Sequence, residues 1–284
     1  MTRVLVIGVR GQTGREVAAQ LAGRDGVTVR GTARDPRGIE QPGVEPVGFD
    51  WQQPATWDGA LAGGFDAIYL VRPEIEDAEP RIEQLIARAG DARVVLLSEI
   101  AAETLPASDW VAGVEHAAQT AAHWTIVRPA SFYQLLTDER YLLESIRDAG
   151  EIAFPTGDGV NGFVDVRDIA AVVVEALLED GHAGRAYALT GPEAVTFAEV
   201  ARRLAAAVGH PVRHTDPPLE DAVASFEAAG LEGWFVAYLR GASERVRDGR
   251  YGRLSADVER VTGRPPRSLD AFIAEHADSW RRIT

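Results

Sequence analysis

The sequence predicts an α/β protein built on a doubly wound parallel sheet, and three observations carry that prediction. The first is the opening stretch. Val4-Leu5-Val6-Ile7 is wholly apolar, as a strand buried on both faces must be, and Gly8-Val9-Arg10-Gly11-Gln12-Thr13-Gly14 follows at once, ahead of a helix-like run from Arg15. The second is rhythm: short apolar runs alternate with amphipathic stretches over the first 130 residues, the pattern of strands joined by crossover helices. The third is the glycine spacing, G-x-x-G-x-x-G at 8, 11 and 14, where a strand end, a tight turn and a helix N-terminus together would cradle a phosphate. It is offset from the G-x-G-x-x-G of the standard dinucleotide turn.

Taken in order, 27–33 alternates as a second strand and 44–48 as a short third. Helix character covers 54–61. Residues 66–71 form a strand ended by Arg72-Pro73, and 76–89 an amphipathic helix with Ile82, Leu85 and Ile86 on one side. A fifth strand is expected over 93–98, a helix over 108–122 and a sixth strand over 124–129. The pattern loosens after Pro129, where we expect a helix over 135–149 and a turn-rich loop over 151–161. Residues 164–178 read as a short strand and a long apolar helix capped by Asp168, and 185–189 as a return to the sheet. Thr196 with Glu199 three residues on makes a capping box for a helix to about 208. Few strand signals follow 210. The expected organisation is a sheet domain over 1–130 and a smaller, mostly helical substrate region over 131–284, with one or two strands interleaved into the first.

Composition narrows the function. A formal charge of −14 opposes a phosphate-backbone partner and an anionic membrane surface. There is no cysteine, so thiol catalysis, disulfides and cysteine-ligated metal are excluded. All 29 basic residues are arginine, so Schiff-base lysine chemistry is excluded as well. The six histidines, at 116, 123, 182, 210, 214 and 276, show no metal-ligand spacing, and the G-x-S-x-G nucleophile elbow is absent. No cationic leader with a cleavage site precedes the first strand, and the longest apolar run, about 169–178, is too short to span a bilayer. A cytoplasmic monomer or homodimer is the expectation.

Six motifs in order resemble the NmrA-like group of atypical short-chain dehydrogenases/reductases: Val4 to Gly14; Ala33-Arg34-Asp35-Pro36; Asp50; Thr125-Ile126-Val127-Arg128-Pro129 with Phe132 beyond; Asp165-Val166-Arg167-Asp168-Ile169-Ala170; and Thr190-Gly191-Pro192-Glu193-Ala194-Val195-Thr196. The resemblance runs from about residue 3 to 275 and implies a Rossmann-type fold binding a nicotinamide dinucleotide. It departs at Ile7, where the family often has threonine, and at Arg10, where it has a small residue. Val111-Ala112-Gly113-Val114 stands where many members carry a lysine ahead of Glu115. The Tyr-x-x-x-Lys pair of ordinary short-chain dehydrogenases therefore does not transfer.

On that resemblance Gly8, Gly11, Gln12, Thr13 and Gly14 would hold the pyrophosphate. Arg34, with Arg37 and Arg10 near, would take a 2′-phosphate, which favours NADP(H) over NAD(H) although Asp35 could bind a ribose hydroxyl instead. Asp50 would lie along the adenine; Val71, Arg72, Ser98 and Pro129 would line the nicotinamide side. Tyr133, His116 and Tyr69 are the candidate proton donors, with Ser98 as a carbonyl-polarising hydroxyl. Three of these have a plainer reading: Tyr133 as a pocket wall, His116 as a surface residue, Ser98 as a cap. Phe132, Tyr133, Phe154, Phe163 and Trp234 are the expected pocket aromatics. The expected function is an NADPH-dependent reductase of a hydrophobic, aromatic carbonyl, quinone or imine, in the manner of a secondary-metabolite tailoring enzyme. A non-catalytic NAD(P)(H) sensor is the alternative, and a scaffold diverted to oxygenation or dehydration a further one.

Overall fold

The computed structural model describes residues 1–281, which divide into two compact units. The first comprises residues 1–129, 166–189 and 257–264. Its elements in chain order are β1 (Thr2–Ile7), α1 (Gln12–Ala22), β2 (Val27–Ala33), β3 (Val44–Gly48), α2 (Trp57–Leu61), β4 (Ala67–Val71), α3 (Ala78–Ala89), β5 (Arg93–Leu97), α4 (Trp110–Ala118) and β6 (His123–Pro129). In the second unit the chain makes β7 (Glu151–Ala153), then returns for α5 (Val166–Leu178) and β8 (Arg185–Leu189). Seven strands form one parallel sheet in the order β3-β2-β1-β4-β5-β6-β8. The order reverses between β1 and β4, and ligands of open α/β sheets bind at such a reversal, beyond the carboxyl ends of the strands.

Alternation along the strands feeds two cores. Leu5, Ile7, Ile68, Leu70, Val94, Leu96 and Ile126 point to one face, where they pack against Ile82, Leu85, Val114 and Ala117 of α3 and α4. Val4 and Val6, also fully buried, point to the other, which α1 and α5 cover. Full burial of each such side chain contributes about 1.5–3 kcal/mol. Three boundaries differ from the sequence reading. Pro54 starts a 3-10 turn, so only 57–61 is α-helical. Asp109, accepting from the Val111 N–H, caps α4 late, and the helix ends at Ala118. Helix α5 begins at Val166, which places Asp168 inside its first turn instead of at the cap.

The second unit comprises residues 130–165 and 190–256 and the tail from 265. It holds α6 (Phe197–Val208), β9 (Arg213–Thr215), α7 (Leu219–Ala228) and α8 (Gly233–Arg247); α9 (Asp257–Thr262) belongs to the first unit, and α10 (Leu269–His276) closes the second. β7 and β9 pair in parallel as a small separate sheet. Thr196 caps α6 by accepting from the Glu199 N–H at 3.1 Å, the N-cap half of the capping box, while the Glu199 carboxylate is taken by Arg202 and Arg203. The helix expected over 135–149 is broken. Asp138 accepts from the Arg140 backbone N–H and holds its guanidinium, a local turn that competes with helix. What remains is a 3-10 turn at Tyr133–Leu136 and one π turn at Ser145–Ala149, closed by Gly150 in the left-handed region. No helix among the described residues is long and apolar enough to cross a membrane.

Candidate cofactor and substrate site

The loop between β1 and α1 is shaped by its glycines. Gly8 has φ +85°, a conformation that side chains rarely adopt. A Cβ on Gly14 would stand 2.2 Å from the Gly8 carbonyl oxygen, so helix and loop approach as closely as backbone allows. Gly8 and Val9 N–H groups are tied to Thr32 of β2, at 3.2 Å to Oγ1 and 3.1 Å to the carbonyl. Gly11 is the N-cap of α1 and offers no capping side chain, and the first turn carries no acidic residue. The start of this eleven-residue helix therefore keeps its positive end for an anion, over a cradle that a side chain at 14 would fill. Thr13 is buried beneath it, beside the fully buried Tyr69. Burial pushes the Tyr69 phenol well above its usual range and Thr13 only partly offsets this, so Tyr69 sits in the core and is no accessible proton donor.

At the end of β2 the charges sort themselves. Arg37 forms a two-pronged pair with Asp35, at 2.9 and 3.0 Å, and its N–H also donates to that carboxylate. Asp35 is held below the usual carboxylate range by Arg37, and its hydrogen-bonding capacity is turned into this 3-10 turn. Arg34 is exposed and makes no ion pair among the described residues. The Arg10 guanidinium lies over Gly38, 3.4 Å from where a Cβ would be, so the odd cation of the glycine loop reaches the same turn. Asp50 is spent locally: its carboxylate accepts from the Gln52 N–H and from the Gln53 amide, and its carbonyl accepts from Trp57 Nε1.

Beyond the switch point, Val71 closes on Gly8 at 3.4 Å from the position of an added Cβ. Arg72 pairs with Glu99 at 2.9 Å and lies 5.4 Å above the Trp110 ring. Ser98 donates its hydroxyl to Glu115 at 2.5 Å, and Glu115 in turn takes both Nε and Nη2 of Arg128, at 2.9 and 2.7 Å. Arg128 reaches Glu103 with its remaining nitrogen, at 3.2 Å. The Pro129 carbonyl accepts from Ile100, and Ala101 between these groups is held at φ +65° while buried. This network was not legible in the sequence, although a glutamate on the apolar side of α4 was the signal. His116 is exposed one residue on, at a cleft of about 360 Å³ with Glu79, Glu103 and Gln119.

The aromatics of the second unit do not gather in one place. Tyr133 and Phe163 belong to its hydrophobic core and the half-buried Phe154 packs against it, Tyr133 stacking on Phe272 at 5.3 Å and donating to the Arg267 carbonyl at 3.3 Å. Buried to 1% exposure, the Tyr133 phenol is a core group in this arrangement and not a proton donor. Phe132 and Trp234 stay half-buried outside that cluster. Two residues that the sequence reading passed over stand here, Ser131 and the fully buried Asn161, joined at 2.6 Å. No group of three or more potential metal ligands occurs among the described residues.

A family model described as NAD(P)H-binding matches residues 8–180. The chain is 35% identical over 98% of its length, and 99% of the other protein's, to a (4-alkanoyl-5-oxo-2,5-dihydrofuran-3-yl)methyl phosphate reductase of Streptomyces griseus. It is 32% identical to an NAD(P)H azoreductase of Xenophilus azovorans, over 98% of this chain and 99% of that one. Among solved structures it is similar to the Escherichia coli NADPH-dependent quinone oxidoreductase complexed with NADPH, with a TM-score of 0.79 and 21% identity over 97% of this chain and 98% of that one.

Proposed function

The chain belongs to the NAD(P)H-binding family, among the NmrA-like atypical short-chain dehydrogenases/reductases, and we propose that it is an NADPH-dependent reductase of a hydrophobic carbonyl, quinone or imine. The observation that carries this reading is the cradle of Gly8, Gly11 and Gly14 under an uncapped helix start, with Arg34 in no ion pair among the described residues and beside an aspartate already neutralised by Arg37. A diphosphate fits the first and a 2′-phosphate the second. Bound NADPH would supply a hydride to the electrophilic carbon of the acceptor. This chain's own residues hold the diphosphate at 8–14, select the adenosine end with Arg34 and Arg10, and wall the far end with Val71 and the braced pairs of Arg72 and Arg128.

The Streptomyces relative's name describes an oxo-dihydrofuran phosphate, a conjugated carbonyl compound, and the Xenophilus relative's an azo compound. Both names support an unsaturated, electron-poor acceptor. A sensor reading draws on a different fact: Ser98 and Tyr133 spend their hydroxyls inside the protein. The test for both is NADPH oxidation against quinones, unsaturated lactones, ketones and iminium compounds, with nucleotide affinities measured alongside. We expect turnover, and NADPH bound at least ten-fold tighter than NADH, a margin that Arg34→Ala should erase while NADH affinity stays unchanged. Tight nucleotide binding without turnover of any acceptor would favour the sensor. Equal affinity for NADPH and NADH would refute the role given to Arg34.

A further inference from the structure

Asn161 is the only asparagine in the chain, and a glycine follows it. Asparagine is a chemically perishable residue, and most so before glycine, which has no side chain to shield its amide nitrogen and leaves the backbone free to turn. That nitrogen, once its proton passes to solvent base, attacks Asn161 Cγ. The new N–C bond closes a succinimide ring, and the side-chain nitrogen leaves as ammonia. Water then opens the ring at either carbonyl and gives aspartate or isoaspartate.

The fold demands both halves of this pair. The Asn161 amide donates to Ser131 Oγ at 2.6 Å and accepts from the Ser131 N–H at 3.4 Å; a carboxylate could only accept. A Cβ on Gly162 would stand 3.2 Å from Leu254 Cδ2 and from Thr190 Cβ and Cγ2, inside the separation at which carbon atoms attract. The same contacts hold the reaction off. The Gly162 N–H is donated to the Tyr251 carbonyl at 2.9 Å, and Asn161 exchanges two backbone hydrogen bonds with Val195, at 2.9 and 3.0 Å. Asn161 has no exposed surface and Gly162 is buried. Ring closure requires the Gly162 nitrogen to leave Tyr251 and the Asn161 side chain to leave Ser131, in a place that solvent base does not reach. All of these residues belong to the second unit.

We propose that Asn161-Gly162 is a site of spontaneous modification which Ser131, Val195 and Tyr251 keep closed, and which deamidates whenever this stretch opens, making unfolding irreversible. Aspartate at 161 has no proton for Ser131 Oγ and buries a charge with no cation among these contacts. Isoaspartate adds a methylene to the backbone inside the bridge to Val195, so the two hydrogen bonds there no longer align. Neither product can return to the original packing. The lifetime of the protein is then set by how often this stretch opens, a rate instead of an equilibrium.

The experiment ages wild type and Ser131→Ala in buffer and in concentrated urea at mildly alkaline pH, and follows intact mass with peptide mapping across residue 161. Because asparagine occurs once, a fast mass gain from amide to acid reports this residue; Asp-Gly pairs such as Asp25-Gly26 pass through the same ring without changing mass. We expect folded wild type to deamidate at least about a hundred-fold more slowly than the chain in urea, since several hydrogen bonds must open first. Ser131→Ala should react about five- to ten-fold faster than wild type when folded, and at the same rate in urea. Refolding yield of urea-aged protein should fall in step with the deamidated fraction. It should be retained after ageing in urea at mildly acidic pH, where the Gly162 nitrogen keeps its proton. Deamidation of the folded protein at the urea rate overturns the proposal, and so does full refolding of deamidated chains. A mass gain that maps to glutamine, or a folded Ser131→Ala no faster than wild type, overturns it too. If Ser131→Ala fails to fold, the wild-type rates and refolding yields decide alone.

Discussion

Replacing Glu115 with leucine removes the centre of the Ser98–Glu115–Arg128 network and leaves the surrounding apolar packing of α4 nearly unchanged in volume. Breaking one partner of a buried ion pair costs about 3–5 kcal/mol, because the other charge stays behind without compensation. Arg128 keeps Glu103 at 3.2 Å, a half-exposed carboxylate, which puts the loss at the low end, about 3 kcal/mol. The Ser98 hydroxyl, 4% exposed, loses its acceptor and adds about 1 kcal/mol. A loss of about 4 kcal/mol lowers the melting midpoint by roughly 8–16 °C in a chain of this size. The informative comparison is Glu115→Leu with Arg128→Met, which removes both charges and should recover most of the loss. Urea denaturation of wild type, both singles and the double variant gives the coupling. A single variant within about 1 kcal/mol of wild type, or a double variant less stable than Glu115→Leu, would refute the assignment of an uncompensated Arg128 as the source of the effect.

Further outcomes follow from other parts of the structure. Gly14→Ala places its methyl 2.2 Å from the Gly8 oxygen, a backbone clash worth about 1–3 kcal/mol, and should weaken NADPH about ten- to a hundred-fold in a fluorescence titration. Ala101→Gly relieves a left-handed conformation that costs about 1–2 kcal/mol against roughly 0.5–1 kcal/mol of added chain freedom; a small gain in melting midpoint is expected. Arg202 and Arg203 hold Glu199 down to about 2, and Arg203 holds Glu193 below its usual range. Folded values below unfolded ones mean that this stabilisation is complete above the ordinary carboxylate value of 4.5 and is lost as pH falls toward 2. Melting midpoints should fall through that window, and Arg203→Met should flatten the fall.

How much of this was legible in the sequence depends on whether the signal was local. The wholly apolar Val4–Ile7 run and the glycines after it mark a central strand and its turn, because burial on both faces and a backbone clash leave few other residues possible there. The N-cap at Thr196 is equally local. The segment 135–149 misleads because its apolar period is helical while Asp138 turns the backbone. Tyr133 misleads through chemistry: a phenol just past a cofactor motif looks catalytic until Phe272 and the Arg267 carbonyl, far along the chain, close over it. Ser131 and Asn161 stand 30 residues apart, and Ser98 and Glu115 stand 17 apart on different elements. Neither pair has a spacing that any single helix or strand would enforce.

The return of α5, β8 and α9 to the first unit has a consequence for how such proteins diverge. Strand β8 is the edge partner of β6, and Asp257 of α9 takes the Ala188 N–H of that strand. A fragment cut at residue 130 would lose an edge strand and the apolar cover of Ile169, Val172 and Val173, all without exposed surface. The nucleotide unit is therefore no detachable N-terminal module. In descent, what can be exchanged are the excursions, residues 130–165 and 190–256, which leave the sheet and come back to it. Changes confined to those excursions leave the seven strands of the frame untouched.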